Sequence, residues 1–268
     1  MRDDALCGSL AELADETWTH MDYGFNRGYG RPDERVFTDH HLIELCRRHP
    51  AQIRAAKFTQ NREAETAADF EWFIGDGDGY LALRVQAKKL DLDRCIYPGL
   101  AARIGKSGKR QIDQLIEAAE GDGFTALYLF FNGPCPGLRL HDRCENRALD
   151  RIDRGCSVAL ATEVRRRLDE RGPRLDVIAE VAWPWQCLTC CPLKDDAHPG
   201  QRVIDLLTAE AEPLARPGPS LTAQVPAYVQ AVLATDPAEI GFLRDFSAGE
   251  LPGTERVVTL TADQKGLD

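Results

Sequence analysis

Residues 63–89, EAETAADFEWFIGDGDGYLALRVQAKK, constrain the fold more than any other stretch of the chain. Ala68, Phe70, Trp72 and Ile74 alternate with Asp69, Glu71 and Phe73. After a GDGDG turn, Leu81, Leu83, Val85 and Ala87 alternate with Ala82, Arg84, Gln86 and Lys88. An apolar period of two is that of a half-buried strand, and a glycine–aspartate cluster between two such runs predicts a hairpin. Side chains alternate across a strand, so Asp69 and Glu71 share one face, as do Gln86 and Lys88 on the next strand. Where the hairpin aligns these faces, carboxylates, an amide oxygen and an ammonium meet in one patch. That donor set suits a metal ion and a water.

The flanking segments supply the rest of an α/β core. Residues 5–19 and the stretch from Thr38 to the turn at Pro50 carry helical stripes, separated by a glycine- and aromatic-rich loop over 21–34. Residues 110–120 predict a helix with Ile112, Leu115, Ile116 and Ala119 on one face, stopped by a GDG turn. TALYLFF (125–131) is a continuous apolar run and predicts a buried central strand. A second long helix is expected over 156–172 and a strand over 174–183. From about residue 199 the texture changes to short helical patterns and a proline-rich linker, with a weakly patterned tail beyond 249. The expected division is an α/β core over 1–198 and a small helical C-terminal extension over 199–268.

The order strand, strand, helix, strand, with Asp69 before the hairpin and Gln86-Ala87-Lys88 ending its second strand, resembles the PD-(D/E)xK, or restriction-endonuclease-like, nucleases. Glutamine replaces their usual second acid, as in the Mrr-like Q-x-K branch. EAETAADFEW, VQAKKL, YPGL, QIDQLIEAA and LYLFFN in that order are similar to a group of uncharacterised bacterial proteins placed in that superfamily, over roughly residues 34–191. The resemblance implies a restriction-endonuclease-like fold with a central mixed sheet flanked by helices. It also implies a metal-dependent endonuclease acting on DNA, with RNA not excluded, and a role in antiviral defence.

In that scheme Asp69 is the principal ligand of Mg²⁺ or Mn²⁺ and Gln86 adds a neutral oxygen. Glu63 supplies the acid found at that place in the resembling proteins, and Lys88 holds the attacking water or the charge developing on phosphate. Glu71, on Asp69's face, replaces or supplements Glu63. Gln111 either approaches the same pocket or is an ordinary polar residue on a helix surface. For Asp69 and Lys88 the plainer alternative is an exposed cross-strand salt bridge.

Charge qualifies this reading. The net charge is −10, which argues against indiscriminate coating of nucleic acid. Residues 84–110 nonetheless form a basic strip, in which Lys89, Arg103, Lys106, Lys109 and Arg110 are the candidate nucleic-acid contacts. A basic strip in an acidic chain suggests contact gated by a partner, by homodimer formation or by a small-molecule signal. The acidic N-terminus lacks a signal-peptide layout and no run is long enough to span a bilayer, so the expected location is cytoplasmic, with no membrane partner.

The nine cysteines are irregularly spaced and predict thiols or metal ligands instead of a disulfide framework. Cys187, Cys190 and Cys191 form half of a zinc pattern that Cys135, His141 or Cys144 would complete, although buried thiols beside Trp183 and Trp185 fit as well. Two other functions therefore remain open. One is a nuclease-like module that has lost its chemistry with the acid-to-Gln86 change, and the other is a zinc-stabilised interaction protein.

Overall fold

The computed structural model describes residues 4–28, 32–57, 67–76, 78–104, 108–135, 155–191, 197–209, 218–234 and 256–261. They form a mixed α/β structure whose central sheet, with both parallel and antiparallel pairs, is flanked by helices. Two helices, α1 (Asp4–Arg27) and α2 (Glu34–Arg48), precede strand β1 (Ile53–Lys57). The predicted hairpin is β2 (Phe70–Asp76) and β3 (Gly79–Lys89), antiparallel with Phe70 opposite Val85 and Trp72 opposite Leu83. A small ribbon, β4 (Arg103–Ile104) with β5 (Lys109–Arg110), leads into α3 (Gln111–Gly121). Strand β6 (Thr125–Phe131) then runs parallel to β3, with Tyr128 opposite Gln86.

A parallel return needs a crossover, and α3 provides it. Its buried residues are Ile112, Leu115, Ile116 and Ala119, the stripe read from the sequence. Beyond β6 the sheet continues with β7 (Cys156–Leu160) and β8 (Trp183–Pro184), both antiparallel to their neighbours.

Several expectations are corrected. Helix α1 extends through the residues 21–27 assigned to a loop. Helix α2 starts at Glu34, four residues before the stretch expected from Thr38, and the Thr38 hydroxyl donates to the Glu34 carbonyl inside the helix at 3.0 Å. CSVAL is strand β7, and the helix expected over 156–172 begins only with α4 (Ala161–Arg171). A five-residue apolar run fits either state, and here pairing with β6 decides it. The expected strand over 174–183 is instead a short helix, α5 (Leu175–Ile178), and only Trp183–Pro184 join the sheet, as β8.

The C-terminal residues are not a purely helical extension. The helix α6 (Cys187–Cys190) is followed by α7 (Pro199–Thr208) and α8 (Ala227–Ala234), but β9 (Leu221–Thr222) pairs with β3. Strand β10 (Arg256–Thr261) lies between β1 and β2, antiparallel to the first and parallel to the second. The β-branched run in RVVTLT suits that place, and without β10 the buried strand β2 would present an unpaired edge. No helix among the described residues is long and apolar enough to cross a membrane.

Trp72 and Trp185 meet on one side of the sheet at 6.5 Å between ring centroids, and His41 of α2 lies 5.0 Å from Trp185. His41 Nε2 is 2.9 Å from Thr17 Oγ1, whose hydroxyl donates to the Leu13 carbonyl. Burial, reinforced by His40 and His20, holds the His41 pKa at about 3 against an ordinary 6.5. The unfolded chain takes up a proton near the ordinary value that the fold refuses until about 3. Stability is therefore complete above the unfolded value and is lost as pH falls through that window.

The expected loss is on the order of a few kcal/mol over the whole range. Urea midpoints between about pH 7 and pH 5, above most carboxylate titration, should fall for wild type and fall less for His41→Asn. Parallel slopes would show that His41 is not held neutral.

Candidate functional site

The site candidates lie at the C-terminal end of β3, alongside β6 and just beyond the Phe70–Val85 pair that ends the β2 ladder. Asp69, Gln86 and Lys88 are only 8%, 2% and 6% exposed, respectively. An exposed hairpin salt bridge is therefore not the arrangement here. Asp69 continues the β2 ladder through its N–H to the Val85 carbonyl at 2.8 Å. Its Oδ2 accepts from the Ala87 N–H at 2.7 Å and from Gln86 Nε2 at 2.5 Å. Gln86 Nε2 also donates to the Ala87 carbonyl at 3.1 Å, while Gln86 Oε1 accepts from Gln111 Nε2 at 2.8 Å. Of the two readings of Gln111, the structure takes the first: the opening residue of α3 reaches the pocket.

Glu34, in the first turn of α2, completes the cluster. Its Oε1 lies 4.0 Å from Lys88 Nζ, and its Oε2 accepts from the Lys89 backbone N–H at 3.3 Å. Tyr128 stands beside Gln86 in register on β6, and its hydroxyl is buried without a hydrogen-bond partner among the described residues. Burial, then the charges of Asp69 and Asp113, push the Tyr128 pKa far up, so the phenol stays a neutral donor. An unsatisfied buried hydroxyl is uncommon and marks a place where an additional acceptor would be stabilised.

The sequence does not single out Glu34 or Tyr128. Glu34 is 55 residues from Lys89, a separation no local pattern bridges, and Tyr128 reads as one more apolar residue of a buried run.

The remaining candidates fall elsewhere. Glu63 and Lys106 lie outside the described residues. Glu71 shares Asp69's face, as expected, but is consumed by structure. Its Oε1 takes Arg84 Nη2 at 2.8 Å and Nε at 3.2 Å, and its Oε2 takes the Tyr228 hydroxyl at 2.5 Å. Glu71 is thus removed from the ligand set by an opposite charge on the paired strand.

Two cations of the basic strip are paired with acids and two more are tied to backbone carbonyls. Lys109 pairs with Glu117, and Arg110 with Asp113 and Asp169, which raise its pKa. Lys89 Nζ donates to the Pro32 carbonyl and Arg103 Nη1 to the Gly108 carbonyl at 2.6 Å.

The cysteines depart from expectation. Cys7 is bonded to Cys190 and Cys95 to Cys135, with Cα separations of 5.8 and 6.1 Å. Cys190 is therefore committed to α1, across 183 residues of sequence, and the expected trio with Cys187 and Cys191 is broken up. His141 and Cys144 lie outside the described residues. Among the described residues no three His, Cys, Asp or Glu side chains are grouped to hold a metal ion.

The donor chemistry at Asp69 still fits a sparsely liganded magnesium. Such an ion takes one or two carboxylates and keeps several waters; Asp69 supplies one, and Glu34, beside Lys88, is the candidate second. The orphaned hydroxyl belongs to Tyr128, which pairs in register with Gln86 on the neighbouring strand. A half-turn of the Gln86 amide, whose oxygen and nitrogen are nearly isosteric, presents Oε1 instead of Nε2 towards Asp69.

Residues 6–266 match the profile of a family of unknown function, DUF6615, and the chain belongs to that family. No curated protein matches it.

Proposed function

Taking the chain as a member of that family, we propose that it is a metal-dependent nuclease that hydrolyses phosphodiester bonds of DNA. The observation that carries this reading is the burial of Asp69, Gln86 and Lys88 together on one sheet face. Burying a carboxylate and an ammonium is costly, and a site that uses their charges is one reason to retain them. The order β2, β3, α3, β6, with one antiparallel and one parallel pair, supports a restriction-endonuclease-like core.

In this reading Asp69 and Glu34 hold Mg²⁺ or Mn²⁺, with Gln86 Oε1 as a neutral ligand after its amide turns. When bound, the ion lowers the pKa of water and draws charge from the phosphate. Lys88 holds its ammonium in a pocket with little water, where it orients the attacking water or stabilises charge on a non-bridging phosphate oxygen. Tyr128 donates its phenolic hydrogen within the same pocket. Gln111, at the start of α3, fixes the turned Gln86 amide by turning its own, so that Gln111 Oε1 accepts from Gln86 Nε2.

The second reading, a binding module without chemistry, is favoured by the Gln86 N–H that occupies Asp69 Oδ2. The partnered state of Lys109 and Arg110 also favours weak contact with nucleic acid. Cleavage of plasmid DNA and of single-stranded RNA with Mg²⁺ or Mn²⁺, wild type beside Lys88→Ala, separates the two. Metal-dependent cutting by wild type that drops by about a hundredfold or more in Lys88→Ala is expected of the nuclease. Cutting that survives the substitution would remove Lys88 from the site, and an inert wild type that binds no Mn²⁺ would favour the module.

A further inference from the structure

The YPGL stretch, a block of the family resemblance with no role in the site so far, packs against the Lys88 side chain. Pro98–Ala101 is a short 3-10 turn. A Cβ placed on Gly99 would lie 3.0 Å from Lys88 Cδ, 3.3 Å from Cε and 3.4 Å from Nζ. The glycine φ values that are positive belong to other glycines, so the backbone does not demand glycine at 99. The space beside the lysine does. On its other side the ammonium faces Glu34 Oε1 at 4.0 Å. Lys88 thus runs between the Gly99 backbone and the first turn of α2.

The turn has little room to withdraw. Tyr97 N–H donates to the Pro173 carbonyl at 2.9 Å, and its hydroxyl donates to Asn132 Oδ1 at 2.5 Å. Asn132 in turn donates to Ser157 Oγ at 3.0 Å, and the Tyr97 ring packs on Phe130 at 4.6 Å. After the turn, the Gln111 N–H donates to the Ala102 carbonyl at 3.0 Å, tying it to α3. A side chain added at position 99 would therefore move the flexible lysine and leave the anchored turn in place.

We propose that Gly99 is a positioning residue for Lys88: its missing side chain leaves the channel that holds the ammonium in the pocket beside Asp69 and Gln86. The placement of the lysine stands on geometry alone, whereas the effect on cleavage rests on the nuclease reading. Two readouts keep them separate.

The first is the rate of reductive methylation at Lys88, read by mass spectrometry with Lys109 as internal reference, in wild type, Gly99→Ala, Gly99→Val and the exposed control Ala101→Val. The Lys88 rate should rise several-fold in the Gly99 variants, more for valine, and stay at the wild-type value in Ala101→Val. The second is cleavage. Here kcat should fall by about tenfold for Gly99→Ala with KM unchanged, since small displacements of a catalytic group are costly. Gly99→Val should approach Lys88→Ala.

An unchanged or lower Lys88 labelling rate in both Gly99 variants would overturn the proposal, whatever the activity. If Gly99→Val does not fold, Gly99→Ala decides. Raised labelling in a protein whose wild type neither cuts nor binds Mn²⁺ would retain Gly99 as the positioning residue and count against the nuclease instead.

Discussion

Asp69→Asn is expected to lower metal-dependent cleavage by about a hundred- to a thousandfold and to weaken Mn²⁺ binding, while leaving the fold intact. The reasoning starts from Oδ2, which accepts the Ala87 N–H at 2.7 Å and Gln86 Nε2 at 2.5 Å. Alanine would strip the buried Ala87 N–H of its acceptor and Gln86 Nε2 of the shorter of its two, at a cost of about 1–3 kcal/mol for a group left unsatisfied, confusing stability with function. Asparagine keeps an oxygen of the same reach for these two donors while removing the charge and replacing Oδ1 with an NH₂ group. One carboxylate of two is then missing from a sparse ligand set, and each factor of ten in rate corresponds to about 1.4 kcal/mol of lost transition-state stabilisation. Calorimetric Mn²⁺ titration beside initial cleavage rates gives the answer. An Asp69→Asn protein that binds and cuts like wild type would exclude Asp69 as a ligand.

The largest stability effect is expected at Arg84. This guanidinium, 1% exposed, donates to Glu71, to Asp122 Oδ2 at 2.8 Å and to the Ala118 carbonyl at 2.8 Å, with its Cζ 4.7 Å from the centre of the Phe124 ring. It ties β2, β3 and α3 together, and through Glu71 it reaches Tyr228 in α8.

Arg84→Met fills similar space but leaves the Glu71 carboxylate buried with the Tyr228 hydroxyl as its remaining side-chain donor, at an expected cost of about 3–5 kcal/mol. Adding Glu71→Leu and Tyr228→Phe removes the stranded polar groups and should recover most of that loss, because a buried ion pair and its apolar replacement are often near equal. Urea unfolding of the single, double and triple variants measures this. A loss below about 1 kcal/mol for Arg84→Met would mean that water reaches Glu71 and that the pair is not a sealed one.

The same network shows where a sequence reading of the site stops. Glu71 and Asp69 are equivalent by periodicity, two residues apart on one strand face. What separates them is the residue across the sheet: Arg84 opposite Glu71 neutralises it, whereas Gln86 beside Asp69 leaves the charge in place. Lys109 and Arg110 are likewise cations in sequence and partners of Glu117, Asp113 and Asp169 in space. A charge run shows its sign, but its availability depends on which acids fold against it.

The hairpin, the shared face of Gln86 and Lys88 and helix α3 are legible in the sequence from periods of two or 3.6 residues, and strand β6 from a continuous apolar run, each within a short window. Tertiary structure decided the rest. It brought Glu34 to Lys88, set Gly99 along the lysine stem, inserted β10 between β1 and β2, and joined Cys7 to Cys190. Most of those contacts join residues far apart in the chain, and packing of whole elements fixes them where no local pattern can.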